Sequence, residues 1–426
     1  MIKIYRASEL AREEILKRNN LPDLKKAEAA ASEIIADVRS RGDDALRFYN
    51  RKFDGCETAE LRVSEEEVEA AYREVGEYFL QTLAEAAANI REFHERQRRE
   101  GFSYTRPDGT RLGQRIMPLA RVGVYVPGGT AAYPSTVLMD VIPAVVAGVG
   151  EIAMVTPPRK DGKIKAEILA AAKIAGANEI YRVGGAQAIA ALAYGTGSIR
   201  RVDKIVGPGN AFVAAAKKAV SGEVGIDMFA GPSEILIIAD GTANPDHLAA
   251  DMLSQAEHDK MASAVLVTTS ATVAERTAEL IEKRLADLPR QETARASIEN
   301  NGKIIVASSL VEAAEISDEL APEHLEIVTL DPESVLDIVK NAGSVFLGDY
   351  SPEPVGDYFA GPNHTLPTSG TARFSSPLGV DDFVKRSSYI KYSREALERN
   401  GARIADFAER EGLHAHARSV TIRYEK

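Results

Sequence analysis

Cysteine is almost missing: Cys56 is the only one in 426 residues. An intramolecular disulfide, a cysteine zinc cage and an iron–sulfur cluster are therefore excluded, and any metal must be held by His, carboxylate or amide groups. Tryptophan is absent as well, and nothing follows from that. Positive charge is also in short supply. There are 52 Lys and Arg against 63 Asp and Glu, a net charge of −11, which argues against a general nucleic-acid binder. No apolar run is long enough to cross a bilayer: the most apolar stretch, residues 137–149, contains Asp140 and Pro143. Residues 1–20 have neither the apolar core nor the small-residue cleavage site of an export signal, so a cytoplasmic protein without a membrane partner is expected. The usual dinucleotide fingerprint is lacking too. Gly195-Thr-Gly197-Ser-Ile-Arg comes nearest and misses its last glycine.

What is present is a large globular composition, 45% hydrophobic and 27% charged, in a chain longer than one core usually organises. Residues 21–99 carry apolar positions at helical spacing, as in 27–38 and 68–90. From Arg121 onward the chain repeats a unit of apolar helix, glycine turn and short β-branched strand, the grammar of a parallel sheet with covering helices. After Pro245 the same grammar resumes. An α/β protein of two Rossmann-like lobes follows, with residues 1–21 as a small helical N-terminal segment. Residues 22–120 and 236–378 are expected to form the first lobe, 121–235 the second, nucleotide-binding one, and 379–426 an extended C-terminal arm. That arm, read as a helix followed by a short strand, has too few apolar residues for its own core. It must pack on its own lobe or on a neighbouring subunit.

Histidines with carboxylates, amides or turn residues nearby mark the second half: His258, His324, His364, His414 and His416. Gln255 and His258 stand three apart on an expected helix and share a face, so they could grip one ion, although Gln and His so spaced are far more often merely solvated. Asp357 sits in a turn-rich loop, where it can meet a ligand or merely cap a turn. His414 and His416, two apart, share a face if the tail is a strand there. Glu323 and His324 place two bases of different strength side by side at the entrance to a strand. Ser233 follows a Gly-Pro turn before another strand. Glycine turns at 127–129, 183–187 and 206–210 fall near the carboxyl ends of strands, where open α/β sheets bind ligands. These turns permit NAD, another nucleotide or a sugar phosphate.

Seven motifs in this order, Tyr125-Val-Pro-Gly-Gly, Gly184-Gly-Ala-Gln187, Val206-Gly-Pro-Gly-Asn210, Ile226-Asp-Met-Phe-Ala-Gly-Pro-Ser233-Glu, Gln255-Ala-Glu-His258, Ala321-Pro-Glu-His324-Leu and Gly361-Pro-Asn-His364-Thr-Leu-Pro, closely resemble the histidinol dehydrogenases. The resemblance implies zinc- and NAD-dependent, two-step oxidation of L-histidinol to L-histidine. It implies Gln255, His258, Asp357 and His416 as metal ligands, and Tyr125, Gln187 and Asn210 as NAD contacts. Substrate contacts would come from Ser233, Glu411, His324 and the metal ligands. His324 would act as the base and Glu323 would activate water; His364 would lie near the site. It further implies a homodimer in which the arm brings Glu411 and His416 to the partner's site.

Other readings remain at this level. A related zinc dehydrogenase of another small alcohol would share the Glu323–His324 pair. A metallohydrolase would act without NAD, and a non-catalytic nucleotide-binding protein would have no use for that pair.

Overall fold

The computed structural model describes all residues except 1, 10, 17–23, 129–131, 230 and 426. Gly129 and Ala230 of the motifs, and Leu21 at the first expected boundary, lie outside the described residues.

Two parallel sheets form around central strands rich in Val and Ile and buried on both faces. The first has five strands in the order β6 (Glu179–Arg182), β5 (Glu151–Thr156), β4 (Arg121–Tyr125), β7 (Lys204–Val206) and β8 (Gly225–Ile226). Alternation along the strands sends Val122, Val124, Ile152 and Met154 to one core and Tyr125, Ala153 and Val155 to the other. Helices Pro134–Ala147 and Ala166–Ala175 cover the first face, and Gly185–Tyr194 and Ala211–Val220 the second. The strand order reverses between β4 and β7, which opens a crevice at their carboxyl ends.

The second sheet has six strands, β1 (Ile4–Arg6), β11 (Lys303–Val306), β10 (Ser263–Thr268), β9 (Glu234–Ala239), β12 (His324–Val328) and β13 (Ser344–Leu347), all parallel. Counted from β9, its order repeats that of the first sheet, with β1 added at one edge. Helices Pro245–Ala256, Ala271–Leu285 and Gln291–Asn301 bury Ile235, Ile237, Leu266 and Ile304, while Leu310–Leu320 covers Leu236, Ile238 and Leu325.

Three expectations are corrected. Helices within residues 24–95 do not join the six-stranded sheet. Leu24–Arg41 packs on Gly185–Tyr194 and Ala211–Val220, and Glu77–Glu95 packs on Pro134–Ala147, because their apolar faces match that lobe's outer helices. The first 21 residues are not only helical, since β1 extends the six-stranded sheet. The tail runs strand first, helices after: β14 (Val384–Lys391) pairs antiparallel with β3 (Arg111–Pro118), which also pairs with β2 (Phe102–Thr105). Helices Arg394–Arg410 and His414–Thr421 follow, the first capped by Ser393 Oγ accepting from Ala396 N at 3.0 Å. His414 and His416 thus sit on a helix, where a spacing of two sends side chains to different faces.

No helix among the described residues is long and apolar enough to cross a membrane.

Candidate active site

Glu323 and His324 stand at the amino end of β12, beside the amino end of β9. The carboxyl edge of the five-stranded sheet and the amino edge of the six-stranded one both contribute to the region between the lobes. Helix Pro134–Ala147 and the segment 363–365 clasp them: Asn363 Nδ2 donates to Met139 O at 2.6 Å, and Thr365 Oγ1 donates to Asp140 Oδ1 at 2.7 Å.

His324 is 4% exposed. Its Nδ1 lies 3.0 Å from the main-chain oxygen of Glu234. A carbonyl can only accept, so Nδ1 carries the hydrogen and Nε2 keeps a bare lone pair. That Nε2 has no hydrogen-bond partner and lies 3.8 Å from Asp357 Oδ1 and 3.9 Å from Glu353 Oε1. Burial pulls the His324 pKa down, against the opposing charge of Asp357, so the ring is a neutral proton acceptor. Glu323 accepts from Glu234 N at 2.9 Å, and burial pushes its pKa well up.

Helix Pro245–Ala256 starts with Asn244 Oδ1 accepting from Asp246 N at 3.0 Å and has Pro245 in its first turn. It ends at the site. Gln255 is wholly buried and neither of its amide atoms has a partner. His258, exposed just beyond the helix end, is close enough for its charge to act on His324 and His364. Asp357 is on helix Glu353–Tyr358. One nitrogen of His324 and one oxygen each of Glu353 and Asp357 lie within 4.8 Å of one another.

His364 has both ring nitrogens engaged: Nδ1 donates to Asp357 O at 3.0 Å and Nε2 meets Thr136 Oγ1 at 3.3 Å. Its geometry suits holding the Asp357 segment in place. Ser233, half-buried, immediately precedes β9. Glu411 and His416 are exposed on the arm, and within the single chain they are not brought to this cluster.

Sequence reasoning missed Glu353, which burial and the neighbouring Asp357 push up to about 10. Its spacing of four from Asp357 was the available signal, since that places both side chains on one helix face.

Tyr125, Gln187 and Asn210 come together. All three line a cavity of about 1000 Å³ on the five-stranded lobe, with Phe53, Asp54 and Phe212. Tyr125 Oη accepts from Gly185 N at 3.1 Å, and burial pushes its pKa up to about 12. Gln187 is buried with Oε1 unpartnered. Asn210 Oδ1 caps helix Ala211–Val220 through Phe212 N at 3.0 Å and Val213 N at 3.2 Å. Gly207 allows the turn: its φ is +112°, and a Cβ there would lie 2.1 Å from Tyr125 O.

Residues 17–424 match the family described as Histidinol dehydrogenase. The chain is 58% identical to the histidinol dehydrogenase of Halalkalibacterium halodurans, over 93% of each chain. It is 57% identical to that of Bacillus subtilis, over 92% of this chain and 91% of the other. The crystal structure of the histidinol dehydrogenase from Elizabethkingia anophelis superposes with a TM-score of 0.93 at 38% identity, covering 99% of this chain and 98% of that one.

Proposed function

As the chain belongs to the histidinol dehydrogenase family, an oxidoreductase family, we propose that it oxidises L-histidinol through L-histidinaldehyde to L-histidine, the last step of histidine biosynthesis, using two NAD and one zinc ion per subunit. One observation carries this reading: a neutral, tautomer-fixed imidazole whose Nε2 has no hydrogen-bond partner stands 3.8 Å from Asp357 Oδ1 and 3.9 Å from Glu353 Oε1.

The side chains fit a cation. A fully buried amide without a single hydrogen bond is costly unless something occupies its oxygen or nitrogen, and Gln255 is in that position. We assign zinc to Gln255, His258 and Asp357, with His416 delivered by the arm of a second copy. An amide, a carboxylate and two imidazoles suit that metal. His324 is left out of the set because the base needs its lone pair. The nucleotide is assigned to the cavity at Tyr125, Gln187 and Asn210, where the orphaned Gln187 Oε1 awaits a donor.

When bound, zinc supplies a fixed Lewis-acid anchor for the nitrogens of the amino alcohol, and NAD supplies the hydride acceptor. The protein's own groups handle the protons. His324 Nε2 takes the hydroxyl proton as the carbon gives up hydride, and Glu234 O steadies the imidazolium through Nδ1–H. For the second oxidation Glu323, once ionised, takes a proton from the water that adds to the aldehyde. His324 then serves the hydrate as it served the alcohol. Summed over both steps, histidinol, water and two NAD⁺ give histidine, two NADH and three protons. Ser233 and the Glu411 of a second copy complete the substrate contacts. Two such arms exchanged between copies make a homodimer, a reading supported by Phe407 at 67% and Ile422 at 56% exposure on the arm. A cytoplasmic location belongs to the same proposal, because the reaction draws on the cytoplasmic NAD pool.

NADH formation from L-histidinol tests the function. With zinc present, two equivalents of NADH per histidinol are expected, and none after chelation. Turnover of another small alcohol in preference to histidinol would falsify the substrate assignment.

A further inference from the structure

Glu326 lies two residues beyond His324 on β12, on the same side of the strand. It is 1% exposed. Its Oε1 accepts the N–H of Glu353 at 2.8 Å, at the start of the helix that carries Asp357. No fixed N–H or O–H reaches its Oε2, and its carboxyl lies within hydrogen-bonding reach of the carboxyl of Asp251. Asp251 belongs to helix Pro245–Ala256, one turn before Gln255 and on its face. One side chain thus bridges the three elements that present Gln255, His324 and Asp357.

Two buried carboxyls face to face repel when both are ionised and attract when they share one proton. The surroundings favour the shared state. Burial and the neighbouring charge push Glu326 up to about 8, and burial pushes Asp251 up to about 6. Neither residue is a proposed ligand, and neither has a part in the proton transfers above.

We propose that Glu326 is a positioning residue: hydrogen-bonded to Glu353 N and joined to Asp251 through a shared proton, it sets the spacing of the elements that carry Gln255, His324 and Asp357. This rests on the reading of those three as the site. The clamp needs a neutral hydrogen-bonding group rather than a charge. A Gln at this place keeps an oxygen for Glu353 N and offers Asp251 an N–H, whereas a Leu fills the space without linking anything.

The test uses the full-length chain and its Glu326→Gln, Glu326→Leu and Asp251→Asn variants. Zinc affinity is measured by chelator competition, amide exchange is followed across residues 349–358, and thermal unfolding serves as a control for folding. Glu326→Gln and Asp251→Asn are expected to bind zinc within roughly threefold of the parent. Glu326→Leu is expected to bind it about ten- to a hundredfold more weakly, the usual range for loss of a group that orients ligands. Its Glu353 amide should exchange about tenfold faster, as for one lost hydrogen bond. Leu behaving like the parent overturns the proposal, and so does equal damage by both amide variants. The amide variants decide the question if Glu326→Leu does not fold. A parent that binds no zinc defeats the site assignment, while exchange at Glu353 still tests the clamp.

Discussion

The main-chain oxygen of Glu234 lies 3.0 Å from His324 Nδ1 and accepts its hydrogen, which leaves a bare Nε2 facing Asp357, 3.8 Å away. A strand-to-strand contact at the amino ends of β9 and β12 therefore decides the tautomer of the proposed base.

Replacement of that base is expected to remove chemistry while leaving zinc and NAD binding in place. His324→Ala is expected to lower kcat by about 10²–10⁴-fold, the usual worth of a general base. Zinc content and NAD affinity should stay at parent values. Steady-state NADH formation beside metal analysis checks this, and a kcat within about threefold of the parent would remove His324 from the role.

Glu323 and His324 are adjacent but are assigned to different steps. Glu323→Gln retains the hydrogen bond from Glu234 N through its amide oxygen and loses the group that accepts the water proton. The first hydride transfer should survive better than the second. Single-turnover NADH formation from histidinol, compared with the same measurement from the aldehyde, separates the two. Equal losses contradict the assignment.

His416 and His324 lie on different parts of the shared site if the arm crosses to a second copy. Chains carrying His416→Ala and His324→Ala are each expected to be inactive alone. Mixed and re-associated, they should recover activity, because one of the two sites in each heterodimer is then intact. No recovery in verified heterodimers places His416 elsewhere.

The interlobe clasp has a pH signature through Asp140, which is wholly buried and pushed by that burial up to about 8. Among the described residues its carboxyl takes one hydrogen bond, from Thr365 to Oδ1, and Oδ2 has none. In the unfolded chain an Asp ionises near 3.9. Between that pH and about 8 the folded state binds the extra proton, so stability is present in full at low pH and declines as pH rises through the window. Asp140→Asn keeps an acceptor for Thr365 and removes the titration. Its unfolding midpoint should fall less than the parent's between pH 5 and 8; parallel curves would show that Asp140 does not set this slope.

Much of this was legible along the chain. Alternating helix and β-branched strand dictated parallel α/β lobes, since strands buried on both faces must be apolar throughout. The glycine turns after β4 and β7, with Tyr125, Gln187 and Asn210, pointed to the cavity these residues line, and Gly207 is required there because its φ is +112° and a Cβ would lie 2.1 Å from Tyr125 O. The pairing of Glu323 with His324 was likewise visible. What only the tertiary structure decided were contacts between residues far apart in sequence. The apolar faces of helices in 24–95 do not name a lobe by their composition, and only the fold shows them packed on the outer helices of the five-stranded one. The tautomer of His324, the isolation of Gln255 and the partnership of Glu326 with Asp251 depend on which elements meet at which register. Hydrogen bonds act over about 3 Å, a scale on which local pattern carries no information about distant neighbours.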